Sequence, residues 1–301
     1  MATLRGANAH FGSLMTAMVT PFDASGAIRY DRAAELAQWL LSQGNDALVI
    51  NGTTGESPTT SADEKVQLVS TIVHAIGRDK VVAGAGGNNT AEVVELAVRS
   101  AEAGAGGILS VAPYYNKPSQ EGLYQHFRAI AEAVAPLPVI LYNVPGRTIT
   151  NIEASTTARL ASDCTNIIGT KEASGNMAQI GEIARLTGDD FLIYSGDDGS
   201  YLSTLALGGC GVISVISHVV SPDFAALNRA WFSGNASEAT QIFLKTLPLT
   251  RAIFSAPSPA PVKHALALIG QNCGGVRLPL VDLSELEQTV VKSALTEYGL
   301  L

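Results

Sequence analysis

Short, continuously apolar runs alternate along this chain with longer stretches whose apolar residues recur every three or four positions. Residues 13–19 form the first run, ended by Pro21, and residues 47–50, 80–85, 107–112 and 138–143 form the next four. The sixth begins at Ile167 and carries Lys171; residues 191–195 and 211–215 complete the set. Runs this short, apolar without alternation, predict parallel strands buried on both faces. Asp31 is expected to cap a helix in which Ala33, Ala34, Leu36, Ala37, Leu40 and Leu41 share one face. Ser61 and Glu64 read as a capping box opening a helix with Val66, Leu68, Val69, Ile72 and Val73 inward. Thr90 is expected to cap the next helix, and residues 119–134 and 153–162 predict two more.

Eight βα units at this spacing close most simply into a (β/α)8 TIM barrel, with an open doubly wound sheet as the alternative. The eight units fill the chain to about residue 232, which favours the barrel. Beyond that point the rhythm changes. Residues 222–232, 237–255, 261–269 and 283–298 read as helices, with no strand between the last three. The expected organisation is a barrel over residues 1–232 and a C-terminal helical appendage over 233–301 that does not fold independently.

Composition narrows the classes. With 301 residues, 47% of them hydrophobic, the chain can bury a large core. A net charge of −8 with singly scattered Lys and Arg argues against nucleic acid or an anionic membrane as partner. Residues 1–12 lack the apolar segment of a signal peptide, and no apolar run is long enough to span a membrane. Cys164, Cys210 and Cys273 are far apart, with neither metal-ligand spacing nor a disulfide framework. A reduced, cytoplasmic protein is expected.

In such a barrel the active groups come from the C-terminal ends of strands and the loops after them. The run 167–175, Ile-Ile-Gly-Thr-Lys-Glu-Ala-Ser-Gly, carries one lysine to the end of a buried strand. An amine removed from water loses its proton more readily and can attack a carbonyl. The second strand ends in Gly52-Thr53-Thr54-Gly55-Glu56, suited to holding a carboxylate by hydroxyls and backbone N–H groups. The fourth ends in Pro113-Tyr114-Tyr115-Asn116, and the fifth in Tyr142-Asn143-Val144-Pro145-Gly146-Arg147-Thr148. Each has a bland reading: Lys171 paired with Glu172, Tyr142 a core aromatic, Arg147 paired with any surface acid. Their shared position at strand ends is what points to a site.

Other signals are weaker. Gly84-Ala85-Gly86-Gly87-Asn88-Asn89 begins like a dinucleotide fingerprint but lacks its last glycine. The five histidines never sit at ligand spacing, and Asp197-Asp198, between Gly196 and Gly199, reads as a turn rather than a metal pair. No metal and no cofactor is expected. A lysine with phenols suggests Schiff-base chemistry, in which an iminium draws electrons from the neighbouring carbon and a phenol relays protons.

These same segments, Gly52 to Glu56, Pro113-Tyr114-Tyr115-Asn116-Lys117-Pro118-Ser119-Gln120-Glu121-Gly122, Tyr142 to Thr148 and Gly169-Thr170-Lys171-Glu172, resemble the dihydrodipicolinate synthase / N-acetylneuraminate lyase family, in order and over nearly the whole chain. The resemblance is to its synthase branch, which condenses pyruvate with aspartate 4-semialdehyde in lysine and diaminopimelate synthesis. It implies that Lys171 forms the Schiff base with pyruvate and that Tyr142, flanked by Thr53, relays protons. Tyr115 matches a tyrosine supplied by the neighbouring subunit of a tight dimer within a homotetramer. Thr54 would hold the pyruvate carboxylate, Arg147 the carboxylate of the aldehyde, and the Ile213 carbonyl would stand near the lysine. The lyases and sugar-acid aldolases of the family usually differ at Thr54 or lack Arg147, and a silent sensor need not keep the relay. Many members are inhibited by lysine at positions matching Ser57, Pro58, Ala62, Lys65, Asn88, Glu92 and Tyr114. Histidines commonly stand where this chain has Ala62 and Lys65. A cationic Lys65 in a confined pocket would repel the inhibitor's ammonium, so weak or absent lysine feedback is expected.

Overall fold

The computed structural model describes residues 9–301; Met1–Asn8, part of the segment read above for a signal peptide, lie outside the described residues. Eight parallel strands close a barrel in chain order: β1 Leu14–Ala17, β2 Ala47–Ile50, β3 Val81–Gly84, β4 Gly107–Val111, β5 Val139–Asn143, β6 Ile167–Glu172, β7 Leu192–Ser195 and β8 Gly211–Ser214. Closure is made by β1 against β8, with Met15 beside Ile213. The (β/α)8 expectation holds, and the open sheet is excluded.

Side chains alternate along each strand, so the barrel has two cores. Met15, Ala17, Val49, Val82, Leu109, Ile140, Tyr142, Leu192, Tyr194 and Ile213 fill the interior. Leu14, Leu48, Ile50, Ile108, Leu141, Ile193 and Val212 face the helical layer instead. Continuous apolar strands arise because both faces are dry.

The helices are α1 Tyr30–Ser42, α2 Ala62–Ile76, α3 Thr90–Glu102, α4 Gln120–Val134, α5 Pro145–Thr148, α6 Ala154–Asp163, α7 Met177–Leu186, α8 Tyr201–Ala206 and α9 Ser217–Phe232. Three more follow: α10 Ala236–Ile253, α11 Ala260–Leu268 and α12 Glu285–Tyr298. The Ser61–Glu64 capping box forms reciprocally. Two caps differ from expectation. Asn89, not Thr90, accepts the Ala91 N–H and caps α3, which leaves the Thr90 hydroxyl to bond His126 Nδ1 at 2.9 Å. Asp31 lies inside the first turn of α1, where its charge suits the helix dipole, with Arg29 at the cap position. Among the described residues no helix is long and apolar enough to cross a membrane.

Three buried titratable groups predict an acid response. His218 donates from Nδ1 to the Val215 carbonyl and accepts the Val19 N–H at Nε2, so a second proton would break that bond. Burial pushes His218 and His126 down to about 4. Asp198 accepts from the N–H groups of Val215 and Ile216, and burial pushes its carboxyl up to about 6. Below pH 6.5 the unfolded chain takes up two protons that the folded histidines refuse, so stability falls toward pH 4. Asp198 acts in the opposite sense, because the fold protonates it first as pH drops through 6. Asp198→Asn removes that offset. Urea unfolding at fixed protein concentration should therefore show the variant losing about 2 kcal/mol more than wild type between pH 6 and pH 4, at ~1.4 kcal/mol per fully titrated unit. Equal losses would contradict the assignment.

Candidate active site

The C-terminal ends of β2, β3, β4 and β5 surround a cavity of about 330 Å³. Asn51, Gly52, Thr53, Val111, Tyr142, Val144 and Arg147 line it, together with Ser57 and Tyr114. The close approach of β2 to β3 there needs Gly84, because a Cβ at that position would collide with the Asn51 carbonyl.

Lys171 lies on β6 directly beside Tyr142 of β5 in the strand register and is only 5% exposed. Its Nζ stands 4.4 Å from the centroid of the Tyr142 ring. The other interior phenol nearby, Tyr194, pairs with Lys171 in register across β6 and β7. Its hydroxyl donates instead to the Gly12 carbonyl, which precedes β1, so of the two phenols in register with Lys171 it is Tyr142 that lines the cavity. Glu172 takes the opposite face, as strand alternation expects. It is buried and accepts from Asn143 Nδ2, the Ser174 N–H and Gln179 Nε2, so it is neither solvated nor paired with Lys171.

The remaining candidates separate. Thr53 lines the cavity and Thr54 is buried in the same turn. Arg147, on the single turn α5, is exposed, lines the cavity and makes no ion pair among the described residues. Ile213 packs in the interior core with Tyr142. Tyr115 is 87% exposed, at φ 74°, and does not line the cavity of its own chain. A second depression, of about 300 Å³, is lined by Ala62, Asn88, Glu92 and Tyr114 but by neither Ser57 nor Lys65. Lys65 turns its Nζ back to the Thr60 carbonyl at 3.0 Å, and burial lowers the pKa of its ammonium. The expected repulsion from a Lys65 wall is therefore not present in the single chain.

One contact of the lysine, that with Gly196, left no signal in the sequence. Asp197 and Asp198 form the turn that was expected, but Asp198 is buried and holds the backbone after β8 rather than facing solvent. Gly196 packs on the lysine itself: a Cβ there would lie 2.7 Å from Ala173 Cβ and 3.0 Å from Cγ and Cε of Lys171. Since small displacements of a reacting group cost up to about 100-fold in rate, Gly196→Ala should lower kcat by roughly 10- to 100-fold while the protein stays folded. Steady-state assay with circular dichroism checks this, and unchanged kcat would rule it out.

Fold and site together define a class: a (β/α)8 barrel with a nearly buried lysine against a phenol at the C-terminal ends of β5 and β6, an arrangement suited to a class I aldolase. The sequence matches the model of the dihydrodipicolinate synthetase family over residues 10–298. It is 49% identical over 291 residues to 4-hydroxy-tetrahydrodipicolinate synthase of Heliobacterium modesticaldum, covering 96% of each chain. The crystal structure of dihydrodipicolinate synthase from Cyanidioschyzon merolae with lysine bound superposes with a TM-score of 0.95 at 44% identity, covering 97% of this chain and 99% of that one. The chloride-inhibited enzyme from Acinetobacter baumannii complexed with pyruvate superposes at 0.92 with 35% identity, covering 97% and 100%. The chain belongs to the dihydrodipicolinate synthetase family.

Proposed function

We propose that this protein is a metal-independent lyase that condenses pyruvate with L-aspartate 4-semialdehyde to 4-hydroxy-tetrahydrodipicolinate, a step toward diaminopimelate and lysine. The observation that carries this is the Lys171 amine 4.4 Å from the centroid of the Tyr142 ring, which itself lines a cavity that also presents Thr53 and Arg147. Relatives nearly half identical over almost the full chain bear the name of that activity.

Lys171 Nζ attacks the keto carbon of pyruvate, and water leaves as the iminium forms. The iminium withdraws electrons, the methyl carbon gives up a proton to the Tyr142 relay, and an enamine results. Its carbon attacks the aldehyde carbon of the second substrate, and the aldehyde oxygen takes up a proton to become the hydroxyl. The amino group of that substrate then attacks the former keto carbon, closes the ring and expels Lys171. Thr54 and the turn around it hold the pyruvate carboxylate, and Arg147 receives the other carboxylate through its planar fork. The Ile213 carbonyl accepts from the amine as it is released.

Tyr115, exposed on its own chain, completes the relay of a neighbouring copy in a tight dimer, and two such dimers make a homotetramer. Light scattering checks the assembly. Borohydride reduction with pyruvate, followed by peptide mass mapping, tests the chemistry: an adduct on Lys171 is expected, and its absence ends the mechanism. An adduct without turnover of aspartate 4-semialdehyde would move the function to the sugar-acid aldolases. Lysine feedback is expected to be weak, because Ala62 stands where relatives commonly carry histidine. Inhibition by sub-millimolar lysine would overturn that expectation.

A further inference from the structure

The turn that carries Thr53 and Thr54 is held from the far end of the chain. Glu56 follows it directly and is a non-glycine residue in the left-handed region, with φ 56°. Its carboxylate is wholly buried. Lys263, on α11, donates from Nζ to Glu56 Oε1 at 2.7 Å and also to the Gly275 carbonyl at 2.7 Å. The backbone N–H of Arg277 donates to the other carboxylate oxygen at 2.9 Å. The Arg277 side chain then spans the next part of the segment, donating to the Thr59 carbonyl and bidentately to Glu64. Both cations stack on the Phe22 ring, at 4.2 and 4.5 Å from its centroid. From the other side, Thr20 Oγ1 donates to the Gly55 carbonyl at 2.7 Å.

A fully buried carboxylate is tolerated only when paired and hydrogen-bonded. Here each oxygen of Glu56 has one partner, Lys263 from α11 and Arg277 from the loop between α11 and α12. Left-handed backbone at a residue other than glycine persists only when its surroundings impose it, and such residues gather where a site needs a defined geometry. The turn is also where the cavity offers hydroxyls and N–H groups to a carboxylate, so an unpaired Glu56 would place a like charge close to the substrate.

We propose that Lys263, assisted by Arg277, is a positioning residue for pyruvate: through Glu56 it fixes the Thr53–Thr54–Gly55 turn in its carboxylate-binding shape. This rests on the reading of the turn given under Proposed function. The C-terminal helices thereby set substrate affinity without touching substrate.

The test compares Lys263→Met, Lys263→Arg and the doubly neutral Glu56→Gln/Lys263→Met on the full-length chain, reading thermal midpoint, KM for pyruvate, kcat and the borohydride-trapped adduct. Lys263→Met should lower the midpoint and raise KM for pyruvate about 30-fold, and Lys263→Arg should recover most of both. In the double variant no buried charge is left unpaired, so the midpoint returns toward wild type while KM stays raised about 10-fold. A folded variant without the Lys263 amine that keeps the wild-type KM would overturn the proposal. So would failure of both methionine variants to fold, which would assign the pair to folding alone. If the wild-type enzyme itself traps no pyruvate on Lys171, the functional reading fails and this proposal falls with it. With normal trapping in the wild type, an unchanged KM in the variants counts against the role of Lys263 alone.

Discussion

Lys171→Met should leave a folded barrel that traps no pyruvate on borohydride treatment and turns over at least about 10⁴-fold more slowly, ~5 kcal/mol of barrier. Methionine keeps most of the length and volume of the lysine chain, so the packing against Gly196 survives. Removing an amine that is 5% exposed also relieves a desolvated group, so the thermal midpoint should hold or rise. Among the described residues no other lysine lines the cavity wall; Lys65 is turned to the Thr60 carbonyl, and Lys263 is paired with Glu56. Retained trapping on any lysine in this variant would show that the nucleophile has been misassigned.

Tyr142→Phe should lower kcat by about 10²- to 10³-fold, the usual worth of a positioned proton-transfer group. The substitution keeps the ring that lies 4.4 Å from Lys171 Nζ and the interior packing, and removes only the hydroxyl. Adduct should still form on Lys171, but more slowly, because loss of water and loss of the methyl proton both need a relay. Tyr194 cannot substitute, since its hydroxyl is committed to the Gly12 carbonyl. Single-turnover trapping separates the outcomes: wild-type adduct formation with unchanged kcat would take Tyr142 out of the relay.

Much of the molecule was legible in the chain because its physics is local. The strands stand out as apolar runs, and the Ser61–Glu64 box needs only four residues. The cap slipped by one residue at Thr90, because Asn89 takes the Ala91 N–H, and by two at Asp31, where the cap residue Arg29 makes no side-chain bond to the helix end. The short helices α7 and α8 show weakly in the pattern: α8 spans only six residues, and α7 carries a glycine, Gly181, at its middle. Lys263 left one trace, a charge beside His264 in a mostly apolar α11, which is what a buried paired lysine looks like. Its partner lies 207 residues away, and nothing in the sequence pairs them.

Alternation along a strand is a property of the backbone, so the order Thr170-Lys171-Glu172 alone sends Lys171 and Glu172 to opposite faces. The position of Lys171 at the end of its run likewise places the amine at the rim once the barrel is granted. Which groups meet that amine was decided by closure. The register of β5 on β6 sets Tyr142 beside it, and the path after β7 lays the Gly196 backbone along its stem. The threonine turn is gripped by a helix from the end of the chain. Those contacts join segments far apart in sequence, and their geometry exists only after the chain has returned to close the ring.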